Sequence, residues 1–173
     1  VRVVDSLSAA LGEGLLVYHA CELKEQGKSL AEVADWLEEN KLKCCHWFTV
    51  DNLYHLFKGG RVKASGYLLA MALSVKPMMH MDNEGHLVPV GKVIGRKKSI
   101  LTLAEQIATS IVAPEEQVIF ISHGDCIDEA EFLAKKIKEK VQVKDVVINM
   151  LEPVIGAHSG PGTMAVFCLG ERR

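Results

Sequence analysis

The sequence predicts an α+β fold, with one sheet and helices packed on a face. Three observations carry this. Short apolar runs of strand length recur along the chain, separated by stretches with apolar residues at helical spacing. The connections are mixed: two helices, then a hairpin, then single helices, so the strands are not all parallel. Of the 173 residues 49% are hydrophobic, enough for one buried core or for one domain plus part of another.

The elements follow in order. Residues 1–4 form an apolar run ending at Asp5 and Ser6, which reads as a buried strand. Ser6, Ser8, Gly12 and Gly14 make a loop, and Leu15, Leu16, Val17, Ala20 and Leu23 then predict a helix over 14–25, capped at Gly27. Ser29 and Glu32 form a capping box, with Leu30, Val33, Ala34 and Leu37 on one face of a second helix. Residues 44–50 read as a strand covered on both faces. A short helix with Leu53, Leu56 and Phe57 is broken by Gly59 and Gly60, and a small-residue helix is predicted over 63–73. Residues 76–90 read as a hairpin around Asp82, Asn83, Glu84 and Gly85. Ser99 is expected to cap a helix with Ile100, Leu103, Ala104, Ile107 and Ile111 on one face, ended before Pro114. A strand over 117–121, a helix over 126–140 and a strand over 144–148 follow. Residues 154–162 hold three glycines, a proline and His158, and read as a tight loop with bare N–H groups. The last strand is 164–169.

Charge and motifs exclude several classes. With 20 Lys and Arg against 22 Asp and Glu, net charge −2 gives no reason to expect nucleic acid. No apolar run reaches the length of a membrane span. The first residues resemble no signal peptide, and a start without methionine predicts that the chain is part of a longer protein. Five cysteines, an odd count, argue for a reducing, cytoplasmic location rather than a disulfide framework. Cys44, Cys45 and His46 alone cluster metal-ligand types, but neighbours on a strand face opposite ways and no metal is expected. Walker, dinucleotide and Gly-x-Ser-x-Gly motifs are absent, so no cofactor is expected.

Two anion-binding candidates remain, the planar fork of Arg61 after paired glycines and His158 in its glycine-rich segment. A rival enzymatic reading is a hydrolase or transferase using Cys126 in the first turn of a helix with His123 nearby. A third reading is a structural interaction domain docking through the basic run Lys92, Arg96, Lys97 and Lys98.

Asp5-Ser6 with Gly12 and Gly14, the stretch 46–51, Lys58-Gly59-Gly60-Arg61-Val62, Lys76-Pro77, the stretch 91–98, Ile121-Ser122-His123-Gly124-Asp125, and Gly156 through Thr163 together resemble the DegV family of bacterial fatty-acid-binding proteins. The match runs in order from end to end and is similar to the C-terminal portion of such proteins. The resemblance implies a two-lobe protein with an acyl chain between the lobes. It implies a two-layer α/β domain over 44–173, with a mixed sheet of about six strands and helices on one face. Residues 1–43 would be a remnant of an N-terminal lobe with bridging helices. It further implies a carrier without catalysis, which presents a long-chain fatty acid such as palmitate, stearate or oleate to a fatty acid kinase subunit. That subunit makes the acyl phosphate used in phospholipid synthesis. Arg61 and His158 would attend the acyl head group. Ser159, Gly156, Ile155, Met71 and Leu16 would line the loop and tail. Many members carry serine where this chain has Ala10, which removes a hydroxyl. A buried chain of about sixteen carbons gains roughly 12 kcal/mol before ordering costs, so the tail supplies affinity and the polar groups orient the head.

Overall fold

The computed structural model describes residues 1–60 and 75–173. The helix expected over 63–73 lies outside them, as do Arg61 and Met71. Among the described residues the chain forms α1 (Leu11–Glu25), α2 (Leu30–Asn40), β1 (Cys44–Thr49), α3 (Tyr54–Lys58), β2 (Val75–Met81), β3 (Leu87–Ile94), α4 (Arg96–Ser110), β4 (Val118–His123), α5 (Ile127–Lys138), β5 (Asp145–Met150), α6 (Pro153–Ser159) and β6 (Met164–Leu169).

The six strands make one mixed sheet in the order β3-β2-β1-β6-β4-β5. Only β4 and β5 are parallel, joined by the crossover helix α5. The last strand enters the middle of the sheet and pairs antiparallel with β1 and with β4. Its position explains its sequence: β6 is flanked on both sides, and Met164 to Cys168 are all buried.

Alternation sorts each strand between two cores. Cys45, Ile119, Ile121, Met164, Val166 and Cys168 face α4 and α5, where Ile100, Leu103, Ile107, Leu133 and Ile137 close the main core. Cys44, Phe48, Val118, Phe120, Ala165 and Phe167 face the other way, against Leu15 and Leu16 of α1. Hence α4 and α5 cover one face as expected, while α1 covers part of the opposite face.

Three local expectations differ from the structure. Residues 1–4 pair with no strand; Val1 and Val3 are exposed, and a strand needs a neighbour for its backbone groups. The helix α4 begins at Arg96, three residues before Ser99, because Gly95 at φ 90° turns the chain into it; the Ser99 hydroxyl donates instead to the Arg96 carbonyl at 2.7 Å. The segment 154–162 is not an open loop. Its first six residues lie in α6, which Pro153 opens at a position where a missing N–H costs nothing. The capping box at Ser29 and Glu32 is present, with Glu32 N–H donating to the Ser29 hydroxyl at 3.3 Å and Ser29 N–H to the Glu32 carboxylate at 2.8 Å.

Candidate functional site

Where α1 stops short of covering its face of the sheet, a cavity of about 140 Å³ remains. The sheet supplies its floor through His46 and Phe48 of β1 and Ala165 and Phe167 of β6. Ala9 and Ala10, just before α1, close one side. Leu56 of α3 and Ile155, His158 and Ser159 of α6 close another, and Met81 and Leu87 of the hairpin complete the wall. The lining is hydrocarbon apart from a few polar groups, the usual make-up of a site for an apolar ligand.

Glycines bring α3 and α6 together. Gly160, at φ 80°, ends α6 and lies so close to the His55 ring that any side chain there would overlap it. Gly59 ends α3 against the His158 ring: a Cβ added at Gly59 would stand 2.7 Å from His158 Nδ1. The imidazole of His158 is thereby lodged, half-buried, between the end of α3 and the cavity.

The polar lining groups differ in what they have left to offer. The Ser159 hydroxyl donates to the Ile155 carbonyl at 2.8 Å, and the Thr163 hydroxyl donates to the Gly160 carbonyl at 2.7 Å. His46 is 2% exposed, its Nε2 shares a hydrogen bond with the Ser8 hydroxyl, and its ring meets Phe167 edge-on at 5.4 Å. Burial, and then the nearby Arg173 guanidinium, push the His46 imidazolium pKa down to about 3, so the ring is neutral at neutral pH. Arg173 itself is spent on backbone, donating to the carbonyls of Leu7, Lys41, Cys44 and Asp82.

Of the residues singled out in the sequence, His158, Ser159 and Ile155 meet at this cavity. Gly156 lies in α6 with open space where a side chain would project, outside the lining. Leu16 does not share the cavity. It is 3% exposed on the sheet side of α1 and lines instead a separate groove of about 650 Å³ between α1, α2 and residues 2–6. Sequence reasoning missed His46, Phe48, Leu56 and Phe167 as lining residues. The strand alternation placed His46 and Phe48 on a common face, but nothing in it said that this face lacked a helix.

The rival chemistries find little support. Cys126 caps α5, its thiol donates to the Thr163 carbonyl at 3.5 Å, and burial pushes its pKa up, the opposite of an activated nucleophile. His123 is buried and its Nδ1 accepts from the Cys126 backbone N–H at 3.2 Å. Arg96 is drawn out of the basic run into an ion pair with Glu129, while Lys97 and Lys98 are exposed. Cys44 and Cys45 face opposite cores. Asp82, Glu84 and His86 gather ligand atoms within 4.8 Å on the exposed hairpin turn, but Asp82 serves that turn, accepting from the backbone of Glu84 and His86 at 3.0 and 2.8 Å. Among the described residues no helix is long and apolar enough to cross a membrane.

Comparison with known proteins gives these features a context. A family model described as "Uncharacterised protein, DegV family" matches residues 1–171. A DegV domain-containing protein of Clostridium perfringens is 47% identical over 173 residues, all of this chain and 60% of that protein. The chain thus spans about three fifths of the length of that relative. Among solved structures, a DegV family protein from Thermus thermophilus described as fatty-acid-binding is 28% identical with a TM-score of 0.83, covering 98% of this chain and 60% of the other. The Streptococcus pneumoniae fatty acid kinase B3 protein, loaded with linoleic acid, is 21% identical with a TM-score of 0.84, covering 98% and 60%, a likeness of fold. The family model and the Clostridium relative together establish that this chain belongs to the DegV family.

Proposed function

We propose that the chain is the C-terminal part of a cytoplasmic long-chain fatty-acid carrier, which holds the acyl tail in the cavity beneath α3 and α6. The observation that carries this reading is an apolar cavity with His158 in its wall, in a family with a member described as fatty-acid-binding. At about 140 Å³ the cavity is smaller than the roughly 300 Å³ at which ligand pockets begin. In this reading it takes part of the tail, and a second lobe completes the slot; residues 1–43 bridge to that lobe, with α1 also packed on the sheet, and 44–173 form the C-terminal α/β domain. His158 orients the carboxylate. Arg61, two residues beyond Gly59 in the sequence, joins it at the head group. The carrier performs no chemistry itself and presents the head group to a kinase subunit that forms the acyl phosphate.

Lipid extraction and mass spectrometry of the native protein test this directly. A stoichiometric long-chain fatty acid is expected. Its absence, together with no uptake of added palmitate, stearate or oleate, would overturn the reading.

A further inference from the structure

Three walls of the cavity converge on a residue outside it. Arg173 follows the last strand, and its backbone N–H donates to the Leu42 carbonyl at 2.8 Å. Its guanidinium donates from Nη1 to the carbonyls of Leu7 and Asp82 at 2.9 and 3.0 Å. Nε donates to that of Cys44 at 3.1 Å, and Nη2 to that of Lys41 at 3.0 Å. Three of these carbonyls adjoin the lining. Leu7 stands two residues before Ala9, Cys44 two before His46, and Asp82 one after Met81. Ala9, His46 and Met81 all line the cavity, whereas Arg173 does not. The loop before α1, the strand β1 and the turn between β2 and β3 are thereby tied to one planar group.

The loop is the wall that needs tying. Leu7 at φ 48° and Ala10 at φ 52°, ψ −139° lie where an L side chain is strained. Ala10 lines the cavity, so strained backbone forms part of its wall. Without restraint the segment would relax towards ordinary backbone angles and carry Ala9 and Ala10 with it. The Ser8–His46 hydrogen bond ties the loop to the floor. The guanidinium ties it to the floor and to the hairpin at once.

We propose that Arg173 is a positioning residue for the acyl tail, its guanidinium fixing the separation of three cavity walls and thereby the affinity for the ligand. This rests on the carrier reading of the same cavity and adds a determinant that lies outside the lining. Walls held in place before the ligand arrives spare binding an ordering cost. Lysine cannot take over the role, because an ammonium is a single point with three donors, whereas the guanidinium spreads five over a rigid plane. Loss of the guanidinium should therefore weaken binding beyond what lost stability explains.

The test pairs stearate titrations with thermal melts of the protein, as expressed from its own gene, in the wild type, Arg173→Met, Arg173→Lys and Leu133→Ala. Leu133 lies in the main core, on the opposite face of the sheet, so its truncation lowers Tm without touching these walls. Kd is expected to rise at least about fivefold in both Arg173 variants and less than about twofold in Leu133→Ala, whatever the loss of Tm. Should Arg173→Met not fold, Arg173→Lys carries the comparison. An unchanged Kd in the Arg173 variants overturns the proposal and leaves the carrier reading standing. So does an equal rise in Leu133→Ala, because the loss then follows stability. Full affinity in Arg173→Lys also overturns it, because a positive charge at long range then suffices. A wild type that binds neither stearate nor palmitate nor oleate overturns both.

Discussion

Replacing Gly59 by alanine tests the proposed head-group role of His158 separately from the stability of the fold. Gly59 closes α3 at φ −76°, ψ −1°, a conformation that alanine adopts without strain. The added methyl would lie 2.7 Å from His158 Nδ1 and 3.3 Å from the His55 carbonyl oxygen. Ordinary contacts are about 3.5–4.0 Å, so the imidazole must retreat by about 1 Å. Forcing it off its rotamer costs about 0.5–1.5 kcal/mol, partly offset by up to about 1 kcal/mol of helix propensity gained over glycine. Net stability should therefore move by less than about 1 kcal/mol, which is within about 2–4 °C of Tm for a chain of this size. Binding should suffer more. Losing one hydrogen bond to a carboxylate costs about 1.5–3 kcal/mol, so Kd for a long-chain fatty acid should rise about 10- to 150-fold. Gly60→Ala is the matched control. Its φ of +73° makes alanine strained by about 1–2 kcal/mol, yet nothing lies within 4 Å of the added carbon. It should lower Tm more than Gly59→Ala and weaken binding less. Displacement of a fluorescent fatty acid, paired with thermal melts, reads both quantities. Equal affinity in Gly59→Ala and wild type would refute the placement of His158 at the head group.

Other outcomes follow from burial and charge. The folded His46 pKa of about 3 lies below its unfolded value near 6.5, so only the unfolded chain takes up that proton between these pH values. The stability due to neutral His46 is complete above pH 6.5 and is lost on acidification towards 3, by about 2 kcal/mol between pH 7 and 5. Urea melts should show this loss in the wild type beyond that in His46→Phe; parallel losses would contradict it. Leu133→Ala, at a site with no exposure in the main core, should cost about 2–5 kcal/mol, whereas Leu30→Ala, 68% exposed, should cost little. Iodoacetamide with peptide mapping should label exposed Cys21 first and leave buried Cys44, Cys45 and Cys168 protected. Labelling of Cys126 ahead of Cys21 would contradict its raised pKa and revive the thiol chemistry.

Much of the fold was legible because alternation and capping are local. The strand around Cys45 announced itself by alternation, those around Ile119 and Val166 by short continuous apolar runs, and the Ser29–Glu32 box marked the start of α2 to the residue. What stayed hidden was non-local. No pattern in Met164–Leu169 says that it inserts between β1 and β4, and residues 1–4 have the composition of a strand but no partner. The glycines between 154 and 162 suggested a loop, while Pro153 at the first helical position was the contrary cue. Of the cavity's lining residues, His158 was singled out by its glycine-rich segment, and Ser159 and Ile155 by the resemblance of that segment to the family. His46 was not, because its significance depends on where α1 begins, at Leu11, far from it in sequence, and so on which part of the sheet that helix leaves uncovered.

The cavity is a property of strand register more than of the loops around it. β1 sends Cys45 and Trp47 towards α4 and α5, and Cys44, His46 and Phe48 towards α1 and the cavity. Its pairing with β6 sets His46 opposite Phe167 and Phe48 opposite Ala165, so four adjacent floor residues come from two strands locked edge to edge. A slip by one residue would put Trp47 on the floor and His46 in the main core. Both neighbours of the β1–β6 pair oppose such a slip, since β2 and β4 are themselves held in register. The rim is built differently, from two short helices, α3 and α6, whose contact depends on Gly59 and Gly160 lacking side chains. If the cavity holds a fatty acid as proposed, rigid strands beneath a glycine-jointed rim divide the labour: substitutions on the floor should change which tail is accepted, and substitutions at the joint should change how the head group is held.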